Sequence, residues 1–237
     1  MEIIPALDLR QGKCVRLYQG DYDKETVFSH EPVAIALRWQ AQGAKRLHLI
    51  DLDGAAEGML CNEAAIKEIL KAVTFQVQIG GGIRQLETIY KLLSLGASRV
   101  ILGTAAIEDT ELVTEACRRF GESIVIAIDA EDGYVKSHGW RKGSSTTAEE
   151  LVNRMADLGA RRFIYTDISR DGTLTEPNFD AVAKLVAQTS LPIIASGGIS
   201  NVAQLKRLAQ SGVEGAIVGR ALYTGDVDLE AASREIR

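Results

Sequence analysis

The chain is poor in the residues that build metal centres and disulfide frameworks. It has three cysteines, Cys14, Cys61 and Cys117, and three histidines, His30, His48 and His138, all widely spaced. That spacing fits neither a zinc knuckle nor a redox pair, and no metal site is expected. No apolar run approaches the roughly 20 residues that cross a bilayer. The N-terminus, Met1-Glu2-Ile3-Ile4-Pro5, lacks the basic region and apolar core of a signal peptide, and reads as a strand in a cytosolic protein. There is no basic stripe, and the net charge is −5, so neither nucleic acid nor a membrane is an expected partner. No linker or low-complexity tract divides the 237 residues, so residues 1–237 are expected to form one domain.

What the chain has in quantity is apolar strand-like segments alternating with amphipathic ones. The strand candidates are residues 3–7, 47–50, 75–79, 100–102, 124–128, 163–166, 193–195 and 216–218. Several are apolar throughout, as strands covered on both faces are. Helical periodicity occupies 33–42, 64–72, 86–95, 111–120, 148–158, 181–188, 202–210 and 229–236. Eight βα units of this length predict a closed (βα)₈ barrel rather than an open sheet.

The two halves repeat. Gln78-Ile79-Gly80-Gly81-Gly82-Ile83 matches Ile194-Ala195-Ser196-Gly197-Gly198-Ile199 at an offset of 116 residues, since 197 − 81 = 116. The same offset relates Gly103 to Gly219, Gly96 to Gly212, and the strand ending in Asp51 to the one ending in Asp167. Ala6-Leu7-Asp8 matches Ala127-Ile128-Asp129 at 129 − 8 = 121, which fits a longer first loop. Order-preserving matches of this kind predict two (βα)₄ half-barrels. The long connections, 9–31 and 130–146, follow the first strand of each half and are read as binding loops or lids.

Glycine lets backbone N–H groups approach an anion closely. Gly81-Gly82 and Gly103-Thr104 follow the third and fourth strands, and Gly197-Gly198 and Gly219-Arg220 follow the seventh and eighth. Any one pair is equally a tight turn, but four in repeat-related positions predict two phosphate sites, hence a bisphosphate small-molecule ligand. Asp8 and Asp129 end the first strand of each half, where barrels present catalytic groups, and two carboxylates can share proton transfer. Thr166 ends the sixth strand and either bonds a reacting hydroxyl or orients an aspartate. Asp171-Gly172-Thr173 beyond it is a sugar contact or a plain turn. Alternation makes His48 inward if Thr166 is inward, as a substrate contact or a hydrogen-bonded core histidine. Trp140 stacks on a flat heterocycle or packs a loop, and Arg84 reaches an anion or a surface carboxylate.

These residues resemble the phosphoribosylformimino-5-aminoimidazole carboxamide ribotide isomerases of histidine biosynthesis. The resemblance runs from Ile4-Pro5-Ala6-Leu7-Asp8-Leu9 through Gly12-Lys13-Cys14-Val15-Arg16-Leu17, Leu49-Ile50-Asp51-Leu52-Asp53-Gly54, Gly80-Gly81-Gly82-Ile83-Arg84, Asp171-Gly172-Thr173-Leu174 and Ser196-Gly197-Gly198-Ile199 to Val218-Gly219-Arg220-Ala221-Leu222. It implies an Amadori rearrangement of an aminoaldose to its aminoketose, with Asp8 as proton acceptor, Asp129 as proton donor and Arg16 among the possible substrate contacts. It also implies no metal or organic cofactor and no obligate protein partner. A sister barrel, the cyclase subunit of imidazole glycerol phosphate synthase, shares the half-barrel repeat and the paired aspartates. It usually carries a cysteine where this chain has Ala6 and a lysine near Arg16 or Leu17, and it docks a glutaminase. A bifunctional isomerase also acting on phosphoribosylanthranilate is the other alternative.

Overall fold

The computed structural model describes residues 1–236, and Arg237, the last residue of the expected domain, lies outside them. Twelve strands form in chain order: β1 (Glu2–Arg10), β2 (Lys13–Tyr18), β3 (Asp21–Ser29), β4 (Arg46–Asp51), β5 (Gln76–Gly80), β6 (Arg99–Leu102), β7 (Ile124–Glu131), β8 (Tyr134–Ser137), β9 (Lys142–Thr147), β10 (Phe163–Asp167), β11 (Ile193–Ser196) and β12 (Gly215–Val218). Eight of them, β1, β4, β5, β6, β7, β10, β11 and β12, pair in parallel, and β12 closes back onto β1. Closure leaves no barrel edge. The architecture is the expected (βα)₈ barrel.

Alternation sorts each barrel strand into two faces. Outward residues such as Leu7, Leu49 and Ile126 join the large core beneath the helices, whereas Ile4, Ala6, Ile101, Val125, Ile164, Ile194 and Ile217 form a smaller core inside the barrel. The helices are held at their starts by side-chain caps. Asp109, Asn178, Asn201 and Asp228 each accept from a backbone N–H of the first turn, and Thr147 and Glu150 form a reciprocal capping box. The barrel floor is closed by ion pairs: Arg46 with Glu2, and Arg162 and Arg99 with Glu214.

The structure corrects the reading of the two long connections. Both are largely β-hairpins: β2 and β3 fold back antiparallel from β1, and β8 and β9 from β7. Sequence gave little sign of this. The segment Asp21–Ser29 is largely polar and pairs only with β2, so it needs no apolar stripe. Three short helices, Leu52–Glu57, Thr104–Glu108 and Arg220–Thr224, also lie in stretches read as loop.

Candidate active site

Strands β1 and β7 stand opposite each other, with three barrel strands between them on either side. Inward parity runs Ile4, Ala6, Asp8 on one and Val125, Ala127, Asp129 on the other. Both aspartates therefore reach the mouth from the inner face and line one cavity of about 190 Å³. Thr166 is the register neighbour of Asp129 on β10 and lines the same space.

The two carboxylates have different company. Asp8 Oδ2 accepts from Arg16 Nη1 at 2.8 Å, and Arg16 Nη2 lies 3.8 Å from Asp171. Burial pushes Asp8 up from 3.8 to about 6, with Arg16 opposing the rise and Asp171 adding to it. Among the described residues, no cation shifts Asp129. Burial raises its pKa, while hydrogen bonds from Trp140 and Thr166 pull the other way. Trp140 Nε1 donates to Asp129 Oδ2 at 2.9 Å. Burial also raises Asp171, against the pull of Arg16. Burial raises both aspartates, so these environments do not by themselves rank one as base and the other as acid. Arg16 stays fully charged: burial works against it, but Asp8 and Asp171 outweigh burial.

The hairpins roof the cavity. Trp140, at φ 70°, packs so closely on Gly20 that a Cβ there would lie 2.2 Å from its ring. The guanidinium groups of Arg10 and Arg141 each lie over the Tyr22 ring, 5.0 Å from its centre. The sequence did not reveal Tyr22, the packing of Gly20 on Trp140 or the pairing of Arg16 with Asp8. All three depend on hairpin register, for which the sequence holds no periodic signal.

The remaining predicted residues divide between two spaces. Gly81, Gly82, Arg84, Gly103, Thr104 and His48 line the main cavity. Gly172, Gly197, Gly198, Gly219 and Arg220 line a second one of about 20 Å³, room for about one water. Arg16, Asp171, Ser196 and Ile217 border both, with Arg16 and Asp171 as the charged part of the wall between them. A Cβ on Gly219 would lie 2.3 Å from the Arg16 guanidinium, and Arg220 is engaged by the carbonyl of Gly172. Thr173 lines neither cavity, and its hydroxyl bonds within its own loop to Arg170 and Thr175.

The glycine pairs also serve the fold. A Cβ on Gly82 would meet the carbonyl oxygens of Met59 and Gly54, and one on Gly198 that of Glu176. Each half thus presses a glycine turn against the preceding βα loop. That loop is fixed by a buried aspartate and an asparagine, again 116 residues apart: Asn62 donates to Asp51 at 2.6 Å and Asn178 to Asp167 at 2.7 Å. Asp51 also accepts from the backbone of Gly54, Cys61 and Asn62. The repeat of Asp51 and Asp167 was legible in the sequence; their structural use and their asparagine partners were not read from it.

Residues 2–228 match the model of the family described as histidine biosynthesis protein. The chain belongs to that family. Among similar curated proteins is the 1-(5-phosphoribosyl)-5-((5-phosphoribosylamino)methylideneamino)imidazole-4-carboxamide isomerase of Dehalococcoides mccartyi strain CBDB1, 53% identical over 236 residues, covering 100% of this chain and 97% of that protein. Proteins of the same name from Chloroflexus aggregans and Synechocystis are 55% and 52% identical. The first alignment covers 98% of this chain and 96% of the relative, and the second 100% and 93%.

Proposed function

We propose that the chain catalyses the isomerisation for which these relatives are named, an Amadori rearrangement of a phosphoribosyl-amino group to its phosphoribulosyl isomer. The observation that carries this reading is the pair of aspartates, Asp8 buried and Asp129 partly buried, that line one cavity at the barrel mouth from opposite strands. Asp129 gives a proton to the ring oxygen. The C1–O bond breaks as the nitrogen lone pair forms a C=N bond. Asp8 then removes the proton at C2, and those electrons form a C1=C2 enamine that tautomerises to the ketone. Proton transfer completes the sequence without a metal or organic cofactor. Thr166 and Trp140 hold the Asp129 carboxylate in place.

The relatives' name contains two phosphoribosyl groups, which matches the two glycine-rich ends of the mouth. In this reading one phosphate sits by Gly81, Gly82, Gly103 and Thr104, and the other by Gly197, Gly198, Gly219 and Arg220. Backbone N–H groups bare of side chains suit both ends. A ligand spanning them requires the wall of Arg16 and Asp171 to open, which frees Arg16 from Gly219 to meet the ligand. Remote phosphate binding then orients the reacting carbons between the carboxylates.

The test is direct turnover of the purified bisphosphate substrate, with the cyclase substrate and phosphoribosylanthranilate assayed in parallel. Isomerisation of the first supports the reading. Binding without turnover would reduce the protein to a sugar-phosphate binder, and turnover of the cyclase substrate alone would replace the assignment.

A further inference from the structure

Beneath the carboxylates, the inner layer of the barrel breaks its own symmetry. In the second half, Ala127, Ile164 and Ile194 are register neighbours across β7, β10 and β11. The repeat-related residues of the first half are Ala6, His48 and Gln78, neighbours across β1, β4 and β5. An aliphatic pair thus suffices for the scaffold on one side, while a polar pair replaces it on the other. The replacement is unfavourable for folding alone: Gln78 is fully buried, and among the described residues its Oε1 has no hydrogen-bond partner.

Gln78 Nε2 lies 2.9 Å from His48 Nδ1. With Nδ1 accepting from the carboxamide, the proton of neutral His48 resides on Nε2. His48 lines the main cavity, and among the described residues its Nε2 has no hydrogen-bond partner. The ring does not become a cation at working pH, because burial and then the neighbouring Arg16 lower its pKa to about 3. Among the described residues, the reverse amide orientation would leave two N–H donors without a partner, against one N–H and the carbonyl oxygen in the observed orientation.

We propose that Gln78 is a positioning residue: its carboxamide fixes His48 in the Nε2–H tautomer, so that a neutral donor faces an acceptor oxygen of the substrate on the Asp8 side of the cavity. The kinetic part of this inference rests on the isomerase reading above, and the tautomer part does not. A neutral donor is the suitable group beside Asp8. A cationic imidazolium there would lower the carboxylate's pKa, as Arg16 already does, and weaken it as a base.

The test combines long-range ¹H–¹⁵N correlation spectra of ¹⁵N-histidine protein with steady-state kinetics. His48 is assigned by the signals lost in His48→Asn. The wild-type protein is expected to show an unprotonated Nδ1 and a protonated Nε2 between pH 6 and pH 8. Gln78→Leu is expected to fold, since Ile194 fills the equivalent place, to give a mixture of tautomers, and to lower kcat/KM about tenfold. In Gln78→Glu a carboxylate accepts from Nδ1–H, so His48 should become protonated at Nδ1 and titrate within the measured range. An Nδ1–H tautomer in the wild-type protein, or a kcat/KM for Gln78→Leu within twofold of wild type, would overturn the proposal. If Gln78→Leu fails to fold, the wild-type tautomer and the Gln78→Glu titration decide it. Absence of any wild-type turnover counts against the isomerase reading, whereas the wrong tautomer counts against the role of Gln78.

Discussion

At the scale of single residues, burying Asp8 has opposite consequences for stability and for chemistry. Its folded pKa of about 6 lies above the ordinary carboxyl value of 3.8, so the native state binds that proton more tightly than the unfolded chain. The stabilisation is complete below pH ~4 and is lost as pH rises through 6. Asp8→Asn removes the dependence, so melting of the two proteins across pH 4 to 8 should diverge in the variant's favour, by about 3 kcal/mol at the upper end. A constant difference across that range would show that Asp8 does not titrate as described. Both Asp8→Asn and Asp129→Asn should fold and lose roughly 10²–10⁴-fold in turnover. With Asp8 as base, wild-type kcat/KM falls as pH drops through about 6. With Asp129 as acid, activity falls as pH rises through the pKa of that group. Trp140→Phe deletes a hydrogen bond that lowers this pKa, so the alkaline limb should move to higher pH. A limb that stays put, or moves down, separates Trp140 from the acid. The two aspartates were legible because a polar residue ending an apolar barrel strand has few other uses. Their partners were not: Trp140 and Arg16 reach them through turns whose geometry no periodicity encodes.

At the scale of elements, the barrel strands were legible and the hairpins were not, for the same reason. A strand covered on both faces is largely apolar, as Ile124–Ile128 is, whereas β9, Lys142–Thr147, is polar and half exposed. The hairpins nevertheless make the roof of the site, and their contact is testable. Gly20→Ala adds a Cβ where the Trp140 ring lies and forces an unfavourable positive φ. It should raise KM and disturb Asp129 while leaving the barrel's melting temperature within a few degrees of wild type. Unchanged kinetics would mean that the roof is not held by this contact. The aspartate brackets make the opposite prediction. Asp51→Ala leaves the N–H groups of Gly54, Cys61 and Asn62 without the acceptor that a fully buried carboxylate supplies, and should cost about 3 kcal/mol or more in denaturant unfolding. A loss below 1 kcal/mol would contradict the bracket's role.

At the scale of the whole molecule, the half-barrel repeat is seen three times over: in the opposed aspartates at an offset of 121 residues, and in the paired glycine turns and the two Asp–Asn brackets at 116. The departures from it are the more informative part. Asp8 has a cation and Asp129 has an indole; His48 and Gln78 stand where the other half has Ile164 and Ile194. A symmetric scaffold thus holds an asymmetric centre, as a reaction with one proton donor and one acceptor requires. The measurement that tests this account most directly is a crystal structure of Asp8→Asn with the bisphosphate substrate bound. One phosphate should lie against Gly81, Gly82 and Gly103 and the other against Gly197, Gly198 and Gly219, with the sugar carbons between residue 8 and Asp129. Both phosphates on one half of the barrel, or reacting carbons out of reach of the two side chains, would contradict it.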